Sequence, residues 1–327
     1  MDRRELLHAL GLCALAAPLG SFAQQQRKVR RIGFLWENPP TYYVRRFEAF
    51  KAGMRELGYN EGRDYAIEQR SAQSDSARLP AAASELLALK VDIIVSSGTP
   101  SAEAARKATR DIPILITTAG DPVGSGLAAA LSHPGGNITG LTSITTELHT
   151  KRLDLLRQIL PGLRRVGFLY NPDNGSDVLG LGRFESDCSK LHVTPIRAPV
   201  RKVEDISAAF RTLQHDKAQG LIVSEASTNS AGAQTIIEHA ATHRLPAVYP
   251  SSSYPEAGGL FSYGVNNVDL YRRAATYVDK ILKGAKPGDL PIEQPIKFET
   301  VLNRKTAKAL AMTIPEAILV QANRVIE

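Results

Sequence analysis

The sequence predicts an α/β protein with two doubly wound parallel-sheet lobes joined by a multi-crossing hinge. Three observations carry that expectation. "RRIGFLWENPP", from Arg30, returns as "RRVGFLYNPDN", from Arg164. "DIIVSSGTPSAEAARKA" returns as "GLIVSEASTNSAGAQTIIEHA", each reading as strand, turn and helix. "DIPILITTAGDP" returns as "RLPAVYPSSSYP", with Pro246 standing where Pro113 stands. Three landmarks in one order and at nearly one spacing mark a duplicated unit. Strand and helix signals alternate within each copy, which builds a parallel sheet with helices on both faces.

In the first copy, 29–36 reads as a strand of branched and aromatic residues. A helix follows over 44–57, because Phe47, Phe50, Met54 and Leu57 fall at helical spacing on one face. Gly58 ends it. A strand at 65–70 and a helix at 77–89 come next. The runs at 93–95 and 114–116 are continuously apolar, as strands covered on both sides should be. The second copy repeats the course: a strand at 166–170, a helix at 184–191, a strand at 193–198 and a helix at 203–214. A short extended segment, "GGLFSYGVNN", then leads to a helix over 270–282. An extended stretch at 291–301 and two short helices close the chain. Material left over after both sheets are complete implies more than two crossings, hence a hinge rather than a floppy linker. The expected division is a signal at 1–26, a first lobe of 27–140 plus 266–290, and a second of 141–265 plus 291–327.

Residues 1–26 read as an export signal. Arg3 and Arg4 precede an apolar run from Leu6 to Leu19, and Ser21-Phe22-Ala23 fits a cut before Gln24. Arg3-Arg4-Glu5-Leu6-Leu7 also suggests the twin-arginine route, so export is either of that kind or the general one. The run is too short for a permanent membrane helix. Cys13 is no lipid-attachment site, because bulky Leu12 precedes it and the apolar run continues past it. Cleavage leaves Cys188 as the single thiol, so no internal disulfide is expected. A periplasmic location follows. The chain has 327 residues and a net charge of +7, with 43% hydrophobic and 22% charged residues, the balance of a globular protein. The basic residues are scattered without an interleaved aromatic motif, which disfavours nucleic acid as a partner.

In open parallel sheets, ligands bind beyond the carboxyl ends of the strands. That rule nominates Trp36, Ser97, Gly98, Thr99, Ala119, Asp121 and Pro122 in the first lobe. In the second it nominates Tyr170, Asn171, Asn174, Glu225, Ser227 and Ser251, with Tyr263 on the following extended segment. In "SSGTPS", Gly98 lets the backbone approach a ligand. Thr99 suits an N-cap and Pro100 the first helical position, leaving N–H groups for an anion. The same turn could equally be structural. In "GDPVGSG", Asp121 would cap a helix started by Pro122, or hold a ligand ammonium. Glu225, after an apolar strand, would sit at the cleft floor. Trp36, Tyr170 and Tyr263 are rings placed to wall a cleft or to fill a core.

Gly124 and Gly126 only loosely suggest a dinucleotide loop, and no cofactor is expected. His239 and His243 share a helix face without a third ligand, so no metal is expected. Nucleophile elbow, Walker loop and zinc-protease motifs are absent, which speaks against an enzyme.

Several runs resemble one family, the bacterial ABC-transporter substrate-binding proteins of the tryptophan/tyrosine-binding-like group. The matching words include "FKAGMRELGYNEGRDYAIEQRSA", "VDIIVSSGTPSAEAA", "GDPVGSGLAAALSHPGGNITGL", "KRLDLLRQILPGLRRVGFLYNPDN" and "KFETVLNRKTAKALAMTIP". The resemblance implies the type I periplasmic-binding fold, three crossings, and closure of the lobes on a small-molecule solute. It implies as partners an ABC permease and its ATPase, with the receptor itself a monomer. It also implies that Ser97 and Thr99 receive a carboxylate, so that an amino acid or small carboxylate is the solute. A ligand-sensing subunit for a membrane receptor is the alternative use of the same fold, and a Rossmann-like enzyme a more distant one.

Overall fold

The computed structural model describes residues 29–327, so the export signal expected at 1–26 lies outside the described residues. Its first sheet is built from β1 (Arg30–Trp36), β2 (Tyr65–Ser71), β3 (Ile93–Ser96), β4 (Ile114–Ala119) and β5 (Ile138–Thr142). All pair in parallel, in the order β2-β1-β3-β4-β5. Helices α1 (Val44–Glu56), α2 (Leu79–Ala88) and α3 (Thr99–Ala108) cover it. The two-residue alternation of a strand divides β1 between two cores. Ile32, Phe34 and Trp36 face the core that holds Phe50 and Met54 of α1, while Leu35 faces that of Leu86 and Ala102. Each such aliphatic or aromatic side chain contributes roughly 1.5–3 kcal/mol by leaving water. Gly140 has φ +133°, and a Cβ there would overlap the Ile116 carbonyl, so β5 can lie against β4 only with glycine at this point.

The second lobe begins with α4 (Thr145–Ile159) and continues through β6 (Arg165–Tyr170), α5 (Gly175–Lys190) and β7 (Thr194–Pro199). Then come α6 (Ile206–His215), β8 (Gly220–Val223), α7 (Ser227–Ala231), α8 (Ala233–Thr242), β9 (Ala247–Tyr249), α9 (Ser253–Glu256) and β10 (Phe261–Val265). The strands pair as β7-β6-β8-β9-β10, the order of the first sheet repeated. The chain then leaves for α10 (Asn267–Leu282), which packs on α1 of the first lobe. A Cβ on Gly53 would lie 2.5 Å from the Arg272 carbonyl oxygen and 2.9 Å from Ala275 Cβ. The chain returns as β11 (Phe298–Asn303), α11 (Arg304–Ala309), α12 (Glu316–Gln321) and β12 (Arg324–Ile326). β11 runs antiparallel to β10, and β12 pairs with β11, so this sheet carries an edge that the all-parallel expectation lacked.

Three crossings join the lobes: Thr142 to Thr145, Val265 to Asn267, and Glu293 to Phe298. They are tied together. The Thr142 N–H donates to the Glu293 carbonyl at 3.0 Å, and the Asn266 N–H donates to the Lys297 carbonyl at 3.0 Å. Ile144, inside the first crossing, has φ +43°, a left-handed conformation costly for a β-branched residue. The Thr142 hydroxyl accepts its N–H at 3.1 Å.

Two local expectations fail. No helix follows Pro122. The Asp121 carboxylate accepts the Gly124 N–H at 2.8 Å, and Gly126 turns left-handed at φ +69°, so the segment closes as successive turns. Nor is Thr99 the cap of α3: Gly98, at φ +87°, holds that place and Thr99 is the first helical residue.

Candidate functional site

The carboxyl ends of both sheets face one cleft between the lobes, and the lobes touch across it. Asn38 Nδ2 donates to the Ser227 carbonyl at 3.1 Å, and the Thr99 and Ser176 hydroxyls are 3.0 Å apart. These contacts leave a cavity of about 60 Å³ between the lobes. The first lobe lines it with Tyr42, Tyr43, Arg46, Ser97, Gly98 and Thr118. The second lines it with Glu225, Ser227, Ser230, Pro250 and Ser251, and the crossings add Ser143, Val265 and Asn267.

Of the residues nominated from sequence, Ser97, Gly98, Glu225, Ser227 and Ser251 are brought together here. The others stand back from the cavity. Trp36 is buried in the first core, its ring 4.8 Å from that of Tyr43, so it supports a lining residue. Thr99 spends its hydroxyl on Ser176 and on the Gly120 N–H, at 3.2 Å. Ala119 sews the hinge: its carbonyl accepts the Ser143 N–H at 2.9 Å. Asp121 and Pro122 only close their turn, the Pro122 carbonyl accepting the Ala128 N–H. Tyr170 stacks on Phe168 in the second core. Asn171 accepts the Asp173 N–H, and Asn174 caps α5 by accepting the Ser176 N–H. The Tyr263 ring stacks on Phe298 at 6.0 Å.

Beneath the second lobe's wall lies a buried polar cluster that strand-end reasoning missed. Arg152, on α4, is fully buried. It grips both oxygens of Glu225, one at 3.0 Å from Nη1 and the other from Nη2. Its Nε donates to the Tyr263 carbonyl at 2.8 Å, so one side chain ties α4, the β8 loop and β10. His149 Nδ1 lies 3.2 Å from Arg152 Nη1; burial and then the guanidinium's charge hold this imidazole neutral, well below its usual range. Asp177 accepts from the Ser224 hydroxyl at 2.6 Å and the Asn171 N–H at 2.8 Å. Burial still outweighs those bonds and pushes its carboxyl up to about 7. In the first lobe, burial likewise raises Glu37, which accepts from Ser76 at 2.7 Å.

Arg46 was also missed. Its guanidinium carbon stands 5.0 Å from the Tyr42 ring centroid and 5.6 Å from that of Tyr43. The signal was present in "PPTYYVRR", two aromatic and two basic residues directly after a strand end, but it reads equally as a solvated helix start. No cluster of three or more metal-ligating side chains exists among the described residues.

Two lobes hinged by three crossings, closed over a polar cleft, define the class of bilobal solute-binding proteins. The family of ABC transporter substrate binding proteins matches residues 40–326, and the chain belongs to it. That family comprises binding proteins, not enzymes, and is generally extracytoplasmic. A tyrosine-binding protein from Clostridioides difficile (strain R20291) is 26% identical over 288 residues, covering 88% of this chain and 82% of that one. A domain crystallised with L-Trp, from Streptococcus pneumonia, superposes with a TM-score of 0.84 at 26% identity, over 91% of this chain and all of that one. The ligand-free, open structure of an adhesive substrate-binding protein from Clostridium difficile gives only 0.66 at 25% identity, over 91% and 99%.

Proposed function

We propose that this chain is the periplasmic receptor of an ABC uptake system. It closes on an amino acid or small carboxylate and delivers it, as a monomer, to a membrane permease coupled to an ATPase. The observation that carries the reading is the cleft itself. Both lobes line it, an arginine from one and a carboxylate from the other, and a direct hydrogen bond between the lobes bridges its edge. A solute that touches both walls favours the closed form by the contacts it lacks in the open one. The closed shape is then what a permease can distinguish. We take the lobes as 29–142 with 266–293 and 143–265 with 294–327, following the hydrogen bonds at the crossings. The Arg3-Arg4 leader supports export with cleavage before Gln24.

The test is thermal shift of the purified protein against a library of amino acids and small carboxylates, paired with small-angle scattering. A solute that raises the melting temperature should also contract the particle. Melting temperatures that rise without any contraction, or a library with no hit, would end the receptor reading.

A further inference from the structure

The walls of the cleft say more about the occupant than that it is a solute. Arg46 makes a single hydrogen bond among the described residues, from Nη2 to the Tyr42 hydroxyl at 3.3 Å. No carboxylate of those residues lies within ion-pair distance of it. Most of its forked N–H donors are therefore left for an occupant. Asn267, at the start of α10, is among the residues lining the same cavity, and its buried Oδ1 accepts no hydrogen bond among the described residues. That oxygen needs an N–H or O–H donor. The rest of the lining is mostly hydroxyl, from Ser97, Thr118, Ser143, Ser227, Ser230 and Ser251, with the Glu225 carboxylate already paired by Arg152. Apolar surface is confined to Val265, Pro250 and the two tyrosine rings under Arg46.

From these we infer that the solute is a small, polar carboxylate carrying an amino or hydroxyl donor. Arg46 takes its carboxylate, Asn267 takes its donor, and a large aromatic side chain is excluded. A guanidinium and a carboxylate meet as a charge-assisted, two-pronged pair, which suits a fork already held beside the Tyr42 and Tyr43 rings. An indole or phenol pressed against the hydroxyl wall would instead leave those polar groups buried and unpaired. This proposal rests on the receptor reading and narrows it away from the aromatic ligands named for the relatives.

Calorimetric titration of the purified protein with L-serine, serinol, L-tryptophan and L-tyrosine tests it. Serinol is serine with its carboxylate replaced by a hydroxymethyl group. L-serine should bind, serinol should not, and the aromatic amino acids should bind at least about tenfold more weakly than L-serine, if at all. Arg46→Ala should weaken L-serine by at least about tenfold, and Arg46→Lys by less, since it keeps the charge but loses the fork. The melting temperature of each unliganded variant shows whether it is folded. Tighter binding of tryptophan or tyrosine than of serine overturns the proposal and leaves the receptor reading intact. So does serine affinity unchanged in folded Arg46→Ala, or serinol binding equal to serine. Failure of all four compounds to bind overturns the proposal, and the library of the preceding section then decides the receptor reading separately.

Discussion

The two lobes share one strand order, yet they present opposite kinds of wall to the cleft. The first offers hydroxyls, a left-handed glycine and Arg46, whose charge rests on rings without a carboxylate partner among the described residues. The second offers Glu225 already gripped by a buried arginine, with His149 and Asp177 packed behind it. A duplicated backbone therefore fixes where a site can form but not its electrostatics. One wall keeps its polar capacity for the occupant. The other uses much of its own to hold a loop rigid.

The difference can be broken from the second lobe first. Arg152→Met should leave Glu225 without its charge partner and the Tyr263 carbonyl without its donor, and lower stability by about 1–3 kcal/mol in urea unfolding. Adding Glu225→Leu should restore most of that loss, because a buried pair is worth little against well-packed apolar replacements. A double variant no more stable than the single one would show that Arg152 acts through the Tyr263 carbonyl instead.

Asp177 sharpens the comparison through pH. Its carboxyl titrates near 7 when folded, against about 3.8–3.9 when unfolded. The folded state thus binds the proton more tightly. Its contribution is fully present below about pH 4 and is lost as pH rises through 7. The size of the effect is a few kcal/mol at most. Asp177→Asn should flatten the fall in urea midpoint between pH 5 and pH 8; parallel profiles for variant and parent would refute the assignment.

In the first lobe the expected effects are no larger. Gly53→Leu should force α10 off α1 and cost roughly 1–3 kcal/mol by overpacking, read as a lower thermal midpoint. A midpoint unchanged from the parent would mean that the α1–α10 contact is looser than the Gly53 geometry requires. Thr99→Ala removes the hydroxyl contact with Ser176 and the bond from the Gly120 N–H. It should cost the closed form about 0.5–1.5 kcal/mol, seen as weaker affinity for whichever solute contracts the parent particle. Unchanged affinity would mean that the Thr99–Ser176 contact does not help to hold the cleft shut.

What could be read from the sequence tracks what is local. β3 and β4 are continuous apolar runs, and the helix ending at Gly58 carries an unbroken stripe, so both kinds of element stood out. The start of α5 did not, because Gly175, Gly180 and Gly182 argue against a helix. Gly180 is there for packing, since a Cβ would lie 2.8 Å from the His149 ring. The antiparallel β11 depends on pairing with a strand more than thirty residues earlier, which no local pattern encodes. Strand-end logic found the loops that reach the cleft but could not say which side chain of each loop points inward. Ser97 does and Asp121 does not. Arg152 was hidden because "KRLDLLRQ" reads as an amphipathic helix with its arginines in water, and only the three-dimensional meeting with Glu225 shows otherwise.

Ile144 gives the crossing a mechanical character. A branched residue held left-handed costs on the order of 1–3 kcal/mol, and it sits in the segment that must bend when the halves part. If opening lets it relax, the joint behaves as a wound spring, urging the cleft to gape whenever nothing occupies it. An empty receptor would then release its grip unaided, and the occupant's affinity would be the net of its contacts less the work of winding that single residue.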